Sequence, residues 1–489
     1  MIFNGDKLKF YGVIKPYPTV SETVSMAEAA LKGGLTCLQL RYKEDEHEIQ
    51  GNIADYALAL ASLCRQYQAL FIINDDVKLA YEVNADGVHI GQGDMNIVEA
   101  RNILGHGRII GVTVHNGLQA MSANKHGADY LGVGAIFPTA TKLDADVTNQ
   151  ETVKEICCKG GLPVVAIGGI SLENIHEFKQ YPLSLCQGIA VVSALFGSDS
   201  SSLSPDGVLE NARKLNHQLK MLFPKAVALT IAGSDCSGGA GIQADLKSFA
   251  AMGVYGESVI TALTAQNTTG VFDVMNCSDS IVDGQLQAVL SDIPPQAIKI
   301  GMVSSTSIIK VISRHLKDLS VPIVVDPVMV STSGHKLISD DAISVLKQEL
   351  FPMASLLTPN IPEAQVLSNM EIINSDNMIT AAEIIYKQFN CPVLCKGGHL
   401  VSDACDLLYD GKTHRWFNGR RIDTANTHGT GCSLSSAIAA CLAKSMPLPS
   451  SIVLSKAFLS HAMDQGLDLG DGHGPLDHNY MMNLSHWSV

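Results

Sequence analysis

Eight short apolar runs recur through the first two hundred residues, with helix-length stretches between them. They begin at Phe10, Cys37, Ala69, Gly87, Ile109, Asp129, Pro163 and Gly188. Each is rich in β-branched or aromatic residues. The intervening pieces, such as ETVSMAEAALKGG and NIADYALALASLCRQYQ, have helical character. Eight β/α units in this length read as a (β/α)8 TIM barrel. A doubly wound sheet is the alternative, and strand count by itself does not exclude it.

Polar residues gather where these runs end. Gln39, Arg41 and Lys43 end the second, Asn74 and Asp75 the third, and Thr113 the fifth. Asp94 follows the fourth, Thr139, Thr141 and Lys142 the sixth, and Gly168 and Gly169 the seventh. In a barrel these are the carboxyl ends of strands, where active sites collect. Next comes SDSSSLSPDG (198–207), which reads as a linker or, at Ser204-Pro205, as a helix start with proline at the first helical position. Val208, Leu209, Ala212, Leu215, Leu219 and Leu222 then repeat at helical spacing. That is the expected last barrel helix, and the domain boundary falls near Phe223-Pro224-Lys225.

The pattern restarts with AVALTIAGSD, a buried strand entering a turn, and SGGAGIQADLKSFAAMG, a glycine loop into a helix. AIKIGMV, VPIVVDPVMV, SLLTPNIPEA and PVLCKGGHL are strand-like with polar ends, and DLLYDGKTHRWFNGRRI reads as a hairpin. A final helix follows THGTGC. The expectation is a second α/β unit, a largely parallel sheet between helix layers.

Composition narrows the partners. Hydrophobic residues are 46% and charged residues 17%, a globular balance. The net charge of −14 disfavours nucleic acid or an anionic membrane. The start, MIFNGDKLKF, is unlike a signal peptide, and no run nears the roughly 18 apolar residues of a membrane span. Twelve cysteines without CxxC pairing suit a reducing cytoplasm.

Arg41, Lys43 and Lys142 are cations on one expected rim, and Asp75 and Asp94 are carboxylates on it. This set suits a magnesium pyrophosphate, with carboxylates on the hard cation and Arg and Lys on the remaining oxygens. The backbone at Gly168-Gly169 and Val192-Ser193 is placed for a second phosphate. Singly, each charge reads as a solvated loop residue; their convergence by strand position favours function.

In the second half, His428-Gly429-Thr430-Gly431-Cys432 precedes a helical run. Backbone N–H groups at a helix start form an anion hole, and a thiol there is expected to have a lowered pKa. A nucleophile, a base beside a phosphate, or a small buried cap all remain open at this point.

QLRYK (39–43), INDDVKLA (73–80), ADGVHIGQGD (85–94), TATK (139–142), AIGGI (166–170) and VVSAL (191–195) resemble the thiamine-phosphate synthase family. The resemblance implies a barrel that joins hydroxymethylpyrimidine diphosphate to a thiazole phosphate with release of pyrophosphate. It implies that Gln39, Arg41, Lys43, Asn74, Thr113 and Lys142 contact the diphosphate substrate. Asp75 and Asp94 would hold Mg2+, and Thr139, Thr141, Gly169, Val192 and Ser193 the thiazole phosphate. The first strand departs from the family pattern, with VIKPYPT where an apolar run ending in Thr-Asp is common.

AGSDCSGGAGIQAD (232–245), TALTAQNT (261–268), IKIGM (298–302), DPVMVSTSG (326–334), TPNIPEA (358–364), KGGH (396–399) and NTHGTGCSLS (426–435) resemble hydroxymethylpyrimidine/phosphomethylpyrimidine kinases. These have the ribokinase-like fold. The resemblance implies that Cys432 is the general base and that the Gly429–Gly431 turn holds the transferring phosphoryl group. Asp235 and Gln266 would contact the pyrimidine. Asn360 and Glu363 would position magnesium and phosphate through water, and Lys396 would reach ATP. Asp326 is a further metal-side candidate or a turn former. GSDCSGGAG lacks the GxxxxGK[ST] pattern of a P-loop, and its glycines are read as flexible residues that close over the pyrimidine.

Two expected domains follow: residues 1–222, a synthase barrel, and 225–489, a ribokinase-like α/β/α sandwich. The implied partners are small molecules, namely hydroxymethylpyrimidine and its phosphates, thiazole phosphate and ATP. A homo-oligomer is expected because related enzymes are often oligomeric. A barrel that has lost turnover, or that only senses product, remains the alternative.

Overall fold

In the computed structural model, which describes residues 5–43, 49–138, 147–180, 186–197, 203–329, 338–397, 405–419 and 422–480, each apolar run of the first half is a strand. β1 (Phe10–Ile14), β2 (Cys37–Leu40), β3 (Leu70–Asn74) and β4 (Gly87–Ile90) pair in parallel in that order. β5 (Ile109–Thr113), β6 (Tyr130–Val133), β7 (Val164–Ile167) and β8 (Gly188–Val191) continue the ring. The register Phe10↔Ile189 and Gly12↔Val191 joins β8 to β1, so the sheet is a closed barrel and the doubly wound alternative falls.

The helices between the strands are α1 (Val20–Lys32), α2 (Ile53–Gln66), α3 (Val77–Glu82), α4 (Ile97–Leu104), α5 (Gly117–Lys125), α6 (Gln150–Gly160) and α7 (Ser193–Phe196). Their starts are chemical. Asn52, Asp76, Asn96, Asn116 and Asn149 each accept a backbone N–H at the helix entry, supplying an acceptor that the first turn lacks. Thr19 and Glu22 make a reciprocal capping box at α1. The unusual VIKPYPT stretch carries the buried last two residues of β1 and ends on Thr19, the cap of α1, and it does not interrupt the barrel. Ser204 caps α8 (Pro205–Leu222), with Pro205 in the first turn. That helix buries Val208, Ala212, Leu215, Leu219 and Leu222.

Alternation along the strands sorts the barrel's side chains. Tyr11, Val13, Cys37, Leu70, Ile72, Ile109, Tyr130, Val165 and Ala190 form one buried cluster. Two residues beyond Cys37, Ile72 and Gly111, the same parity reaches Gln39, Asn74 and Thr113 at the carboxyl ends.

Contacts divide the chain into residues 1–224 and 225–489. The second unit runs β9 (Val227–Asp235), α9 (Gly241–Ala251), β10 (Tyr255–Asn267), β11 (Gly270–Asn276), α10 (Asp279–Asp292), β12 (Ala297–Ile300), α11 (Thr306–Leu316) and β13 (Ile323–Val325). It continues α12 (Asp340–Glu349), β14 (Leu356–Leu357), α13 (Ile361–Ser368), α14 (Ser375–Phe389), β15 (Val393–Cys395), β16 (Asp406–Tyr409) and β17 (His414–Phe417). α15 (Thr430–Ala443) and α16 (Leu448–Asp464) follow. The sheet order is β11-β10-β9-β12-β13-β14-β15-β16-β17, parallel from β10 to β15 and antiparallel at both edges. One core lies under α10 to α14 and another under α9, α15 and α16, which makes an α/β/α sandwich. The β16–β17 hairpin is where the sequence places it. β10 is a 13-residue strand that the sequence does not announce, because its exposed and buried residues do not alternate cleanly.

An ion pair with no solvent access braces this unit. Lys299 on β12 sets its Nζ 2.9 and 2.8 Å from the two oxygens of Asp245 on α9. Thr230 on β9 and Ser436 on α15 each donate to the same carboxylate at 2.6 Å. Removing one partner leaves a buried charge without compensation. Lys299→Met is expected to destabilise the chain by about 3–5 kcal/mol. Asp245→Asn added to it is expected to recover part of the loss, read by denaturant unfolding.

Candidate active sites

At the barrel rim, Lys43, Asp75 and Asp94 come together. Lys43 Nζ is 2.7 Å from Asp75 Oδ2. Asp75 and Asp94 share a hydrogen bond, and Asp94 also accepts the Gly91 N–H at 2.7 Å. Burial raises the Asp75 carboxyl above its ordinary range against the pull of Lys43, and Asp94 raises it further. On Asp94 burial is outweighed by the hydrogen bonds from Asp75 and Gly91, and its value lies below the usual range. This is the behaviour of two carboxylates too close for both to ionise without a cation. Asp75 sits at φ 62, in the left-handed region of the backbone.

Gln39 is 5% exposed, and its Nε2 is buried without a hydrogen-bond partner. Such an amide needs an acceptor, and a bound anion supplies one. Asn74 ends β3, and Arg41 follows β2 with its backbone N–H bonded to the Ile14 carbonyl. The Thr113 hydroxyl meets His89 Nε2 at 2.9 Å. At the end of β7, Gly168 and Gly169 take φ 99 and 67; a Cβ on Gly169 would lie 2.5 Å from the carbonyl oxygens of Phe137 and Pro138. Val192 precedes the single turn of α7, which begins at Ser193. Thr139, Thr141 and Lys142 lie outside the described residues. Among the described residues, no group of three or more His, Cys, Asp or Glu is poised for a metal ion.

In the second unit the residues converge on the first turn of α15. Gly429 takes φ 80, and a Cβ there would fall 1.9 Å from the Gly239 carbonyl oxygen. A Cβ on Gly431 would lie 3.3 Å from Lys396 Nζ and 3.5 Å from Asp326 Oδ2. Lys396 and Asp326 are themselves paired at 2.8 Å. Thr358 at 3.1 Å and Ser435 at 3.3 Å also donate to Asp326. Burial alone would raise the Asp326 carboxyl, but Lys396 and Lys299 hold it below its usual value. Burial pushes Glu363 up to about 7, against Lys396. Asn360 and Glu363 make a capping box, with Asn360 Oδ1 accepting the Glu363 N–H at 2.9 Å and Glu363 Oε2 accepting the Asn360 N–H at 2.8 Å. The N-x-x-E spacing therefore also starts α13, a role that the sequence reading had not weighed.

Beside this cluster, Asp235 binds its own turn. Its carboxylate accepts from the Ser237 N–H at 2.8 Å, the Ala240 N–H at 2.7 Å and His428 Nε2 at 2.9 Å. Gln266 is a further hydrogen-bond partner. These bonds outweigh burial and hold the acid well below its ordinary range. The glycines here answer geometry rather than flexibility. Gly241 takes φ 57, and a Cβ on it would meet the Gly233 carbonyl oxygen at 2.3 Å. The sequence reading missed His428 as a partner of Asp235, although it stands within the HGTGC motif.

One expectation is overturned. The Cys432 thiol is pushed up to about 11, not lowered. Burial is the largest cause, Asp245 and Asp326 add to it, and the opposing Lys299 charge and Gly241 N–H do not compensate.

Residues 10–195 match the family model of thiamine monophosphate synthase, and residues 235–477 that of phosphomethylpyrimidine kinase. The thiamine biosynthesis bifunctional protein ThiED of Geobacter sulfurreducens is 42% identical over 93% of this chain and 91% of its own. This chain belongs to the bifunctional thiamine biosynthesis family. Within the family's kinase half, the hydroxymethylpyrimidine/phosphomethylpyrimidine kinase of Rhizobium meliloti is 49% identical over 52% of this chain and 97% of its own. Pyridoxal kinase of Bacillus subtilis, solved with ADP, is 36% identical with a TM-score of 0.50, covering 53% of this chain and 98% of that one.

The raised thiol has a direct readout. Alkylation of Cys432 by iodoacetamide, followed by peptide mass mapping, is expected to speed up about tenfold per pH unit from neutrality toward its midpoint at about 11. A midpoint below 8 would contradict the burial argument.

Proposed function

We propose that residues 225–489 phosphorylate 4-amino-5-hydroxymethyl-2-methylpyrimidine with ATP, first at its hydroxyl and then at the monophosphate. Residues 1–222 then couple the resulting diphosphate to 4-methyl-5-(2-phosphooxyethyl)thiazole, giving thiamine phosphate and pyrophosphate. The observation that carries this reading is the juxtaposition of Lys43 with the Asp75–Asp94 pair on a barrel rim, in a chain whose other unit sets Lys396 against the start of α15. One site is suited to a diphosphate and the other to phosphoryl transfer, and the product of the second is the substrate of the first.

In the kinase, Cys432 is the general base for the substrate hydroxyl. A thiol titrating near 11 is seldom ionised at pH 7, but its thiolate is a stronger base toward an alcohol. Gly429, Gly431 and Lys396 hold the transferring phosphoryl group. Asn360 and Glu363 act on the ATP side through water. Asp235 shapes the pyrimidine pocket, and Gln266 faces the ring. In the synthase, Arg41, Lys43 and Lys142 neutralise the diphosphate as its C–O bond breaks, and Gln39, Asn74 and Thr113 supply hydrogen bonds. The aminopyrimidine ring stabilises the methylene cation until the thiazole nitrogen attacks it. Thr139, Thr141, Gly169, Val192 and Ser193 hold the thiazole phosphate. Asp75 and Asp94 fit Mg2+, since a hard dication relieves the conflict between two adjacent carboxylates; bound there, it supplies positive charge to the departing pyrophosphate. We further propose a cytoplasmic homo-oligomer that acts on small molecules; no helix among the described residues is long and apolar enough to cross a membrane.

Pyridoxal is the second reading for the kinase, supported by its likeness to pyridoxal kinase. A higher kcat/KM for pyridoxal than for the hydroxymethylpyrimidine would establish it.

A one-pot reaction of the chain with the hydroxymethylpyrimidine, ATP, magnesium and thiazole phosphate is expected to yield thiamine phosphate, followed as fluorescent thiochrome. Cys432→Ala and Lys142→Ala are each expected to lower the yield by about 10² or more and to restore it when mixed. Chelating magnesium is expected to stop both steps. Accumulation of pyrimidine diphosphate without thiamine phosphate would leave the barrel as a binding domain.

A further inference from the structure

Beneath the rim the barrel interior holds a chain of polar side chains. His89 projects from β4, with Nε2 2.9 Å from Thr113 Oγ1 and Nδ1 2.9 Å from the Tyr130 hydroxyl. The Tyr130 hydroxyl is 3.0 Å from that of Tyr11, and Tyr11 meets the Cys37 thiol. Tyr11, Cys37 and Tyr130 are buried. Neighbouring strands are shaped around this chain. A Cβ on Gly111 would fall 2.1 Å from the Tyr130 ring, and one on Gly132 would fall 2.8 Å from His89 Cε1. β5 and β6 each give up a side chain at an interior position, where barrels ordinarily carry branched apolar residues, so that His89 and Tyr130 fit.

A neutral imidazole carries one N–H and one bare nitrogen, and in His89 each ring nitrogen faces a hydroxyl that can donate or accept. Which nitrogen carries the proton follows from the partner of the other. Two directions satisfy the distances. In one, Tyr130 donates to Nδ1 and Nε2–H donates to Thr113. In the other, Thr113 donates to Nε2 and Nδ1–H donates to the phenol oxygen. A phenol is the most acidic hydroxyl in the chain, and a bare imidazole nitrogen is its most basic acceptor, so the first arrangement makes the stronger bond. Bonds in such a chain polarise one another in a common direction. The second arrangement would also turn lone pairs of Thr113 toward a rim suited to an anion.

We propose that His89 is a positioning residue of the synthase reaction: held by Tyr130 as the Nε2–H tautomer, it donates to Thr113 Oγ1 and leaves the Thr113 hydroxyl proton to be donated to a diphosphate oxygen. This rests on the synthase reading of the barrel. No proton is transferred. The C–O electron pair passes to the leaving diphosphate, and the hydroxyl helps stabilise the charge that it brings. Tyr11 and Cys37 continue the chain away from the rim and keep Tyr130 facing His89.

The test begins with the full chain labelled with 15N-histidine. Its 16 histidines are separated by comparison with a His89→Gln sample. The expected spectrum places the His89 proton on Nε2, with Nδ1 bare; a proton on Nδ1 overturns the proposal. Tyr130→Phe then removes the donor to Nδ1 and keeps the ring. Synthase kcat/KM for the pyrimidine diphosphate is expected to fall roughly tenfold. KM for thiazole phosphate and the kinase rate of the same chain are expected to stay unchanged. His89→Gln, whose amide N–H approximates Nε2–H, is expected to retain several-fold more activity than His89→Leu. Unchanged synthase kinetics in a folded Tyr130→Phe chain, or equal loss in Gln and Leu variants, would overturn the proposal. If Tyr130→Phe fails to fold, the tautomer spectrum of the unaltered chain decides. If the unaltered chain makes no thiamine phosphate, the synthase reading fails instead, and the spectrum still decides the tautomer.

Discussion

A parallel sheet sends the carboxyl ends of its strands to one side. Both units of this chain depend on that constraint. In the barrel it brings Gln39, Lys43, Asp75, Asp94 and Thr113 to one rim from four consecutive strands and the loops after them. In the sandwich it brings Asp235, Asp326 and Lys396 from β9, β13 and β15 to the first turn of α15. None of these residues is close in sequence to all its partners. Strand direction places them together, and the helix starts that follow parallel strands add backbone N–H groups to the same side.

Charge is handled differently in the two places. At the rim, two carboxylates face each other with Lys43 as a partly exposed partner. Beneath α15 the buried pairs Lys299–Asp245 and Lys396–Asp326 compensate themselves. Two carboxylates remain close to Cys432, and burial raises its thiol rather than lowering it. The position at a helix start does not decide the thiol; burial is the largest cause and raises it. Rule-of-thumb reasoning from HGTGC fails for that reason: the motif specifies the turn but not the charges packed under it.

Glycine spacing carries more information than flexibility. Gly429 and Gly241 have left-handed backbones and face carbonyl oxygens that any Cβ would strike. Gly111 and Gly132 take ordinary strand positions, and they are small because Tyr130 and His89 occupy the space beside them. The sequence shows both kinds as the same letter. Telling them apart requires the neighbour across the strand.

The eight β/α units, the Ser204-Pro205 helix start and the β16–β17 hairpin were legible because period, cap and turn chemistry are local. So was the list of polar strand ends, since the strand that carries each one is written around it. The capping box of Asn360 and Glu363 was legible in principle, for it follows from spacing alone. The register that joins β8 to β1, the long β10 strand, the Asp235–His428 contact across 193 residues and the His89–Tyr130 chain were not. Each depends on which distant residues share a strand register or a buried space, and that is settled by packing in three dimensions. The amino-acid order by itself determined the elements and their chemical endowment. Tertiary structure decided which charges are neighbours, and hence which way burial and charge move the Cys432 thiol and the Asp75 carboxyl, because electrostatic energy depends on distance and burial rather than on position along the chain.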